Sequence, residues 1–193
     1  AAFEPHCHEL DSVERLRAHL ACGRVLYEVR EDGQGGRHWQ AVTADDPSPF
    51  VADPEPPPFS AKAFFFAERE AVFRVEGDRF VACLPEVADQ VLFGLHACDL
   101  AAVSYQDQFF AADPTPAAPR GALLVGIDCR HSCSQGFCTQ VDSGPTVRAG
   151  TADLVLLPQD DGGWRLLSLS PAGAAAVAGL GLPLASLDWQ AER

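Results

Sequence analysis

The chain has 193 residues, 47% of them hydrophobic, and carries 27 acidic against 14 basic side chains for a formal charge of −13. That composition supports a buried core in one large or two small domains. With no basic stripe or Lys/Arg run it excludes nucleic acid and anionic membrane surfaces as natural partners. No apolar stretch reaches the about 18 residues of a membrane span. The first residues show neither the basic start nor the apolar segment of a signal peptide, so a cytoplasmic protein is expected.

Residues 10 to 22 have the pattern of a helix. Asp11 or Ser12 can cap it, Val13, Leu16 and Leu20 share a face, and Gly23 stops it. Cys22, at the helix end, is expected in the core. Arg24 to Arg30 reads as a strand, residues 31 to 36 as a turn, and His38 to Thr43 as the returning arm of a hairpin. Residues 1–44 are therefore expected to form an N-terminal helix/hairpin lobe. Residues 45–59 follow as a Pro-rich loop: its segment Asp45 to Pro58 holds six prolines and four acidic residues, an extended boundary or clamp.

Residues 60–193 are expected to form an α/β domain. Phe64, Phe65 and Phe66 are consecutive and cannot all face one way, so they are expected to divide between the sheet and another element. Ala71 to Val75 and Arg79 to Leu84 alternate around Glu76-Gly77-Asp78 as a second hairpin, with Cys83 as a small apolar residue in its second arm. Val91 to Cys98 and Leu123 to Cys129 are short apolar runs, each ending in a cysteine. Such runs read as strands buried on both faces. Asp99 to Phe110 between them is helical in pattern. A strand–helix–strand unit makes the two strands parallel and sets Cys98 and Cys129 at one sheet edge. That is the edge where open α/β sheets collect ligands. Asp153 to Pro158 is a third buried strand, Trp164 to Leu169 a fourth after a turn, and Ala172 to Ala178 a short helix. The last fifteen residues read as a tail or edge. The fold class expected is α/β, with a mainly parallel central sheet and flanking helices.

Seven cysteines in an acidic chain without an export signal argue against a secreted disulfide framework, and three of them lie between residues 129 and 138. Cys129, Cys133 and Cys138 can fold back over the strand end and meet Cys98. The spacing matches neither paired zinc knuckles nor the run of small ferredoxins. Three local thiolates and one remote thiolate can nevertheless hold a cubane cluster, which needs four soft ligands. Structural zinc and a catalytic or disulfide-forming thiol set are the competing readings. An open pocket beside the cysteines would favour a substrate-converting site. Gly94, Gly126 and Gly136 allow close backbone approach, with N–H groups available to the sulfides. Asp99 reads as a helix N-cap and Asp128 as a loop hydrogen-bond acceptor. His96 and His131 stand near the thiols without being needed as ligands. His6, Cys7 and His8 form a small group near the chain start, where metal binding is more often adventitious. No nucleophile elbow, phosphate-binding loop or dinucleotide fingerprint is present.

Several segments together resemble one known family. These are Phe93-Gly-Leu-His-Ala-Cys98-Asp99-Leu100, Asp107-Gln-Phe-Phe110, Val125-Gly-Ile-Asp-Cys129, Gly136-Phe137-Cys138-Thr139 and Ser143-Gly144-Pro145. They resemble the β subunits of sulfhydrogenases and the corresponding iron–sulfur subunits of anaerobic sulfite reductases. Those proteins carry a Gly-Val-Arg-Pro-Cys-Asp-Leu-like motif, an Asn/Asp-Cys strand end and a Phe-Cys-Thr segment followed by Gly-Pro. The stretch from Lys62 to Arg74 is similar to their Lys-x-Phe-Leu-Phe-Pro-x-Arg-Glu segment, so the likeness spans about residues 60 to 158. The resemblance implies an iron–sulfur electron-transfer subunit of a multisubunit cytoplasmic oxidoreductase, without catalytic residues of its own. It implies a 4Fe-4S cluster, partner subunits, and a ferredoxin-like or flavin-containing electron donor. It makes Cys98, Cys129 and Cys138 the strongest ligand positions. Many relatives have a further cysteine where this chain has Gly136, and Cys133 is the substitute here. Relatives continue into a ferredoxin-like domain with two Cys-x2-Cys-x2-Cys-x3-Cys runs, and none stands in these residues. The alternative to the relay is a zinc-stabilised assembly or scaffold subunit with no redox role.

Overall fold

The computed structural model describes residues 3–52, 56–65, 71, 73–83, 89–111, 121–131, 133 and 136–186. Nine strands are described: β1 (His6–Leu10), β2 (Val25–Glu31), β3 (Arg37–Val42), β4 (Phe73–Glu76), β5 (Arg79–Ala82), β6 (Gln90–His96), β7 (Ala122–Ile127), β8 (Leu154–Pro158) and β9 (Trp164–Ser168). With them are three α-helices: α1 (Val13–Ala21), α2 (Ala97–Phe110) and α3 (Pro171–Val177). Seven strands form one sheet in the order β1-β9-β8-β7-β6-β2-β3, and β4 and β5 form a separate hairpin.

The sheet is mixed. The pairs β2–β6, β6–β7 and β7–β8 are parallel, whereas β2–β3, β8–β9 and β1–β9 are antiparallel. Parallel pairing is thus confined to the four central strands, of which β6, β7 and β8 are apolar runs covered on both faces. The pairs β2–β3 and β8–β9 are joined by short turns, which only antiparallel neighbours can use, whereas β1 reaches β9 from the far end of the chain.

The helix and hairpin expected as an N-terminal lobe are built into this sheet, because β2 lies directly beside β6. Ser12 caps α1, accepting the Arg15 N–H at 3.1 Å. Leu16 and Leu20 on its inner face are fully buried with Val91, Phe93, Leu154 and Leu166. Burial on that scale contributes about 1.5–3 kcal/mol per side chain. β1 is an edge strand that the sequence pattern does not reveal. It buries Cys7 on one face and sets His6 and His8 on the other, so the three do not form one ligand group. Residues 183–185 run along its outer edge, with the Glu9 N–H on the Pro183 carbonyl and the Ala185 N–H on the Cys7 carbonyl. The remaining tail, residues 187–193, lies outside the described residues.

The two sheet faces carry two cores. Val91, Phe93, Val125 and Leu156 pack with α1, while Leu92, Leu95, Leu124 and Val155 form the core that holds Leu100 of α2. Phe93 and Leu95 would share a face in a regular strand. Gly94, at φ +82°, makes a bulge against β7 and puts them on opposite faces. The ring of Phe50 covers that glycine, and a Cβ there would stand 3.4 Å from it. The bulge therefore sets how β6 delivers His96 and Cys98 to the sheet edge.

Candidate cysteine site at the sheet edge

The parallel strands β6, β7 and β8 end side by side at His96, Ile127 and Pro158. Cys98 is the second residue of α2, just past the end of β6. Cys129 follows β7 by two residues, and Cys138 opens a short 3-10 turn over residues 138–140. Cys98, Cys129, Cys133 and Cys138 line one crevice, together with His96, His131, Pro56, Gly144 and Pro145. The four sequence-predicted cysteines are therefore brought together, although 40 residues separate the first from the last. Two others stand apart: Cys22 is exposed rather than in the core, and Cys83 is half-buried after β5.

The loop leaving β7 is held in place by backbone bonds. The Cys129 N–H donates to the Pro145 carbonyl at 3.0 Å, and the Ser143 N–H to the Cys138 carbonyl at 2.9 Å. Asp128 accepts the Val147 N–H at 2.8 Å, the loop-acceptor role expected of it. Gly144 fits between elements: a Cβ there would lie 3.3 Å from Cys138 Sγ and 3.4 Å from Ala97 Cβ. Gly136 sits against Cys133 Sγ, but its N–H donates to the Cys133 carbonyl at 3.0 Å. Gly94 and Gly126 face Phe50, Leu100 and Val147 rather than sulfur. Their close approach serves strand geometry and core packing.

Asp99 is not the helix cap. His96 occupies the N-cap position, and Asp99 lies inside the first turn with Oδ2 buried and unbonded. Burial raises its pKa, and the nearby charges of His96 and Lys62 pull the other way. A carboxylate in the first turn still complements the positive end of the helix.

Burial pushes the Cys129 thiol up to about 11, with the charges of Cys98, Cys138, Asp128 and Cys133 adding to the effect. Cys98 is raised chiefly by burial and then by Asp99. The thiols are thus close enough to oppose one another's ionisation. Loading with metal would displace their protons, since the thiolate is the ligand form.

Among the described residues, no carboxylate lines this crevice. The donor set is sulfur with two imidazoles at hand, the chemistry of a soft-metal centre. The cavity it encloses is small, about 10 Å³. Among the described residues, no group of three or more His, Cys, Asp or Glu side chains is placed to hold a metal ion. The sulfurs line a shared wall instead of closing on one ion-sized point.

A strap passes over this edge. It is the Pro-rich segment, anchored where Arg17 donates to the Asp46 carbonyl at 3.1 Å and the Ser48 carbonyl at 2.6 Å. Phe50 then packs edge-on to Phe93 at 5.3 Å and to Trp164 at 6.1 Å. Pro56, further along, reaches the cysteine crevice. The sequence marks this segment as a clamp but does not show its anchor. The anchor is a buried network in which Arg17 and Arg30 share Glu28 Oε1, at 3.0 and 2.7 Å. An arginine on the apolar face of a predicted helix was the available signal. Of the consecutive phenylalanines, Phe64 packs on Tyr27 at 4.7 Å and Trp39 at 5.6 Å, Phe65 joins the α2-side core, and Phe66 lies outside the described residues.

A second, wider cavity opens beside the crevice and shares His96, Cys129 and His131 with it. No helix among the described residues is long and apolar enough to cross a membrane. Comparison with protein-family profiles, curated proteins and solved structures finds no match to this chain.

Proposed function

We propose that the protein is an electron-transfer subunit of a multisubunit cytoplasmic oxidoreductase of the hydrogenase or sulfite-reductase kind. In this reading Cys98, Cys129, Cys133 and Cys138 hold one 4Fe-4S cluster. The observation that carries it is the crevice itself, where two strand ends and one loop bring four thiols to a single lining without a carboxylate. Such a cluster, when bound, supplies one-electron transfer at a potential set by its surroundings.

The chain's own part follows from its geometry. Cys98 and Cys129 stand at the ends of central strands, so the rigid sheet fixes their positions. Pro56 and Pro145 add apolar surface to the wall of the crevice, beside sulfurs that stay half-exposed. Backbone bonds from Cys129 to Pro145 and from Ser143 to Cys138 hold the loop that brings Cys138 in. Partner subunits and a ferredoxin-like or flavin-containing donor complete the relay in this reading.

The deciding experiment is metal and acid-labile sulfide analysis, with a visible spectrum, on protein purified without oxygen. About four irons and four sulfides per chain, with colour that bleaches on reduction, support the relay. One zinc without sulfide overturns it and makes the thiols a structural site of a scaffold subunit.

A further inference from the structure

We propose that the cavity beside Cys129 is a binding site for an aromatic small molecule bearing one anionic group. The cavity measures about 310 Å³ and lies at the ends of β7 and β8. That size is at the lower end of small-molecule sites, about 300–1,000 Å³. A simple electron relay has no need of it.

Its chemistry narrows the ligand. Trp164, Ile127, Pro158 and Ala52 give an apolar wall with one indole, suited to an aromatic ring. Gly162 and Gly163 of the β8–β9 turn leave one side without side chains. Arg130 and His131 stand on the rim, and Asp128 is the one carboxylate lining the cavity among the described residues. Asp128 is already engaged by the Val147 N–H. Arg130 is steadied by the Gln159 carbonyl and by Asp160, which does not line the cavity. Arg130 makes both of those contacts through Nη2, so its Nε and Nη1 are the donors left at the cavity to pair with an anionic group. A molecule seated there touches Cys129, the residue shared with the cysteine crevice. Its role as the relay's electron partner rests on the iron–sulfur reading; its binding does not.

The test is a fluorescence titration of the whole chain with 8-anilinonaphthalene-1-sulfonate, a flat aromatic anion, repeated with the cationic dye thioflavin T. One anionic dye per chain is expected, and thioflavin T should not displace it. Ala52→Trp fills the cavity from the exposed strap and should abolish binding. Arg130→Gln should weaken it by about tenfold, the loss of one hydrogen bond to a charged group. Phe80→Ser, on the exposed apolar face of the β4–β5 hairpin, should leave it unchanged. Binding that survives both Ala52→Trp and Arg130→Gln, or that Phe80→Ser removes, overturns the site. Equal affinity for thioflavin T overturns the charge argument. Iron content measured on the same samples separates the two readings. Iron present without dye binding sinks the cavity site alone, and dye binding without iron sinks the relay alone.

Discussion

Cys129 donates its backbone N–H to the carbonyl of Pro145, 3.0 Å away. With the Val147 N–H on Asp128 at 2.8 Å, this bond lays residues 145–147 alongside the end of β7. The loop that carries Cys133 and Cys138 must therefore leave the sheet and return within sixteen residues of Cys129. Gly144 occupies the return point, with Cys138 on one side and Ala97 of α2 on the other.

That arrangement makes Gly144 a tightly packed position between the loop and α2. Gly144→Val would press a branched side chain into atoms 3.3 and 3.4 Å from the glycine's notional Cβ. Overpacking of this kind costs about 1–3 kcal/mol. The variant should show a lower urea midpoint and, in the relay reading, much less iron than the parent protein. Full iron content at unchanged stability would mean that the loop yields freely and does not position Cys138.

The cysteines themselves should divide into two groups. In the relay reading, Cys98→Ser, Cys129→Ser and Cys138→Ser should each lose the cluster, because a soft metal loses a thiolate and gains a poorer oxygen donor. Cys22→Ser and Cys83→Ser should keep it, since both thiols lie outside the crevice. Loss of metal in either of the latter would defeat the ligand assignment. Cys133→Ser decides the fourth ligand, and metal analysis with an electron paramagnetic resonance spectrum of the reduced protein is the readout.

The central strands and the meeting of the cysteines are legible in the sequence because both rest on local pattern. Val91 to His96 and Leu123 to Ile127 are apolar runs too short for helices, and the strand–helix–strand order makes them parallel neighbours. β1 is not legible, because His6-Cys7-His8-Glu9 shows only one apolar residue and its strand character comes from pairing with β9. The β2–β3 hairpin is legible from its turn, but the pairing of β2 with β6 and of β1 with β9 depends on long-range contacts, which no local window contains. Asp99 looks like a cap in the sequence, yet helix α2 already starts at Ala97, before that acidic residue. His96 stands at the N-cap without a side-chain cap hydrogen bond.

Removing Arg17 should destabilise the fold more than any surface change. It is 1% exposed, bonded to Glu28 and to two carbonyls of the strap. Arg17→Met leaves Glu28 buried with less compensation, and Glu28 Oε2 already has no hydrogen-bond partner. Breaking a buried pair from one side costs about 3–5 kcal/mol. Arg17→Met with Glu28→Gln should recover part of that loss, because the uncompensated charge is gone. Urea unfolding of the two variants checks this. Equal loss in both would place the effect in packing and the strap carbonyls rather than in charge.

The same network gives the protein an acid-sensitive strap. The Arg30 guanidinium and then the Ser48 N–H hold Asp46 down to about 2, against about 3.9 for a free side chain. A carboxyl depressed in the folded state stabilises the fold above its unfolded value and loses that contribution as pH falls through the folded one. The window is therefore about pH 4 down to pH 2. Stability should decline across it, and Asp46→Asn should flatten that part of the profile while lowering stability at pH 7. The strap should also loosen first, seen as a drop in the amide protection factors of Asp46, Ser48 and Phe50 when the pH falls from 5 to 2.5. An unchanged slope in Asp46→Asn would show that other carboxylates set the acid limit and that the Arg30 contact holds the strap without regard to charge.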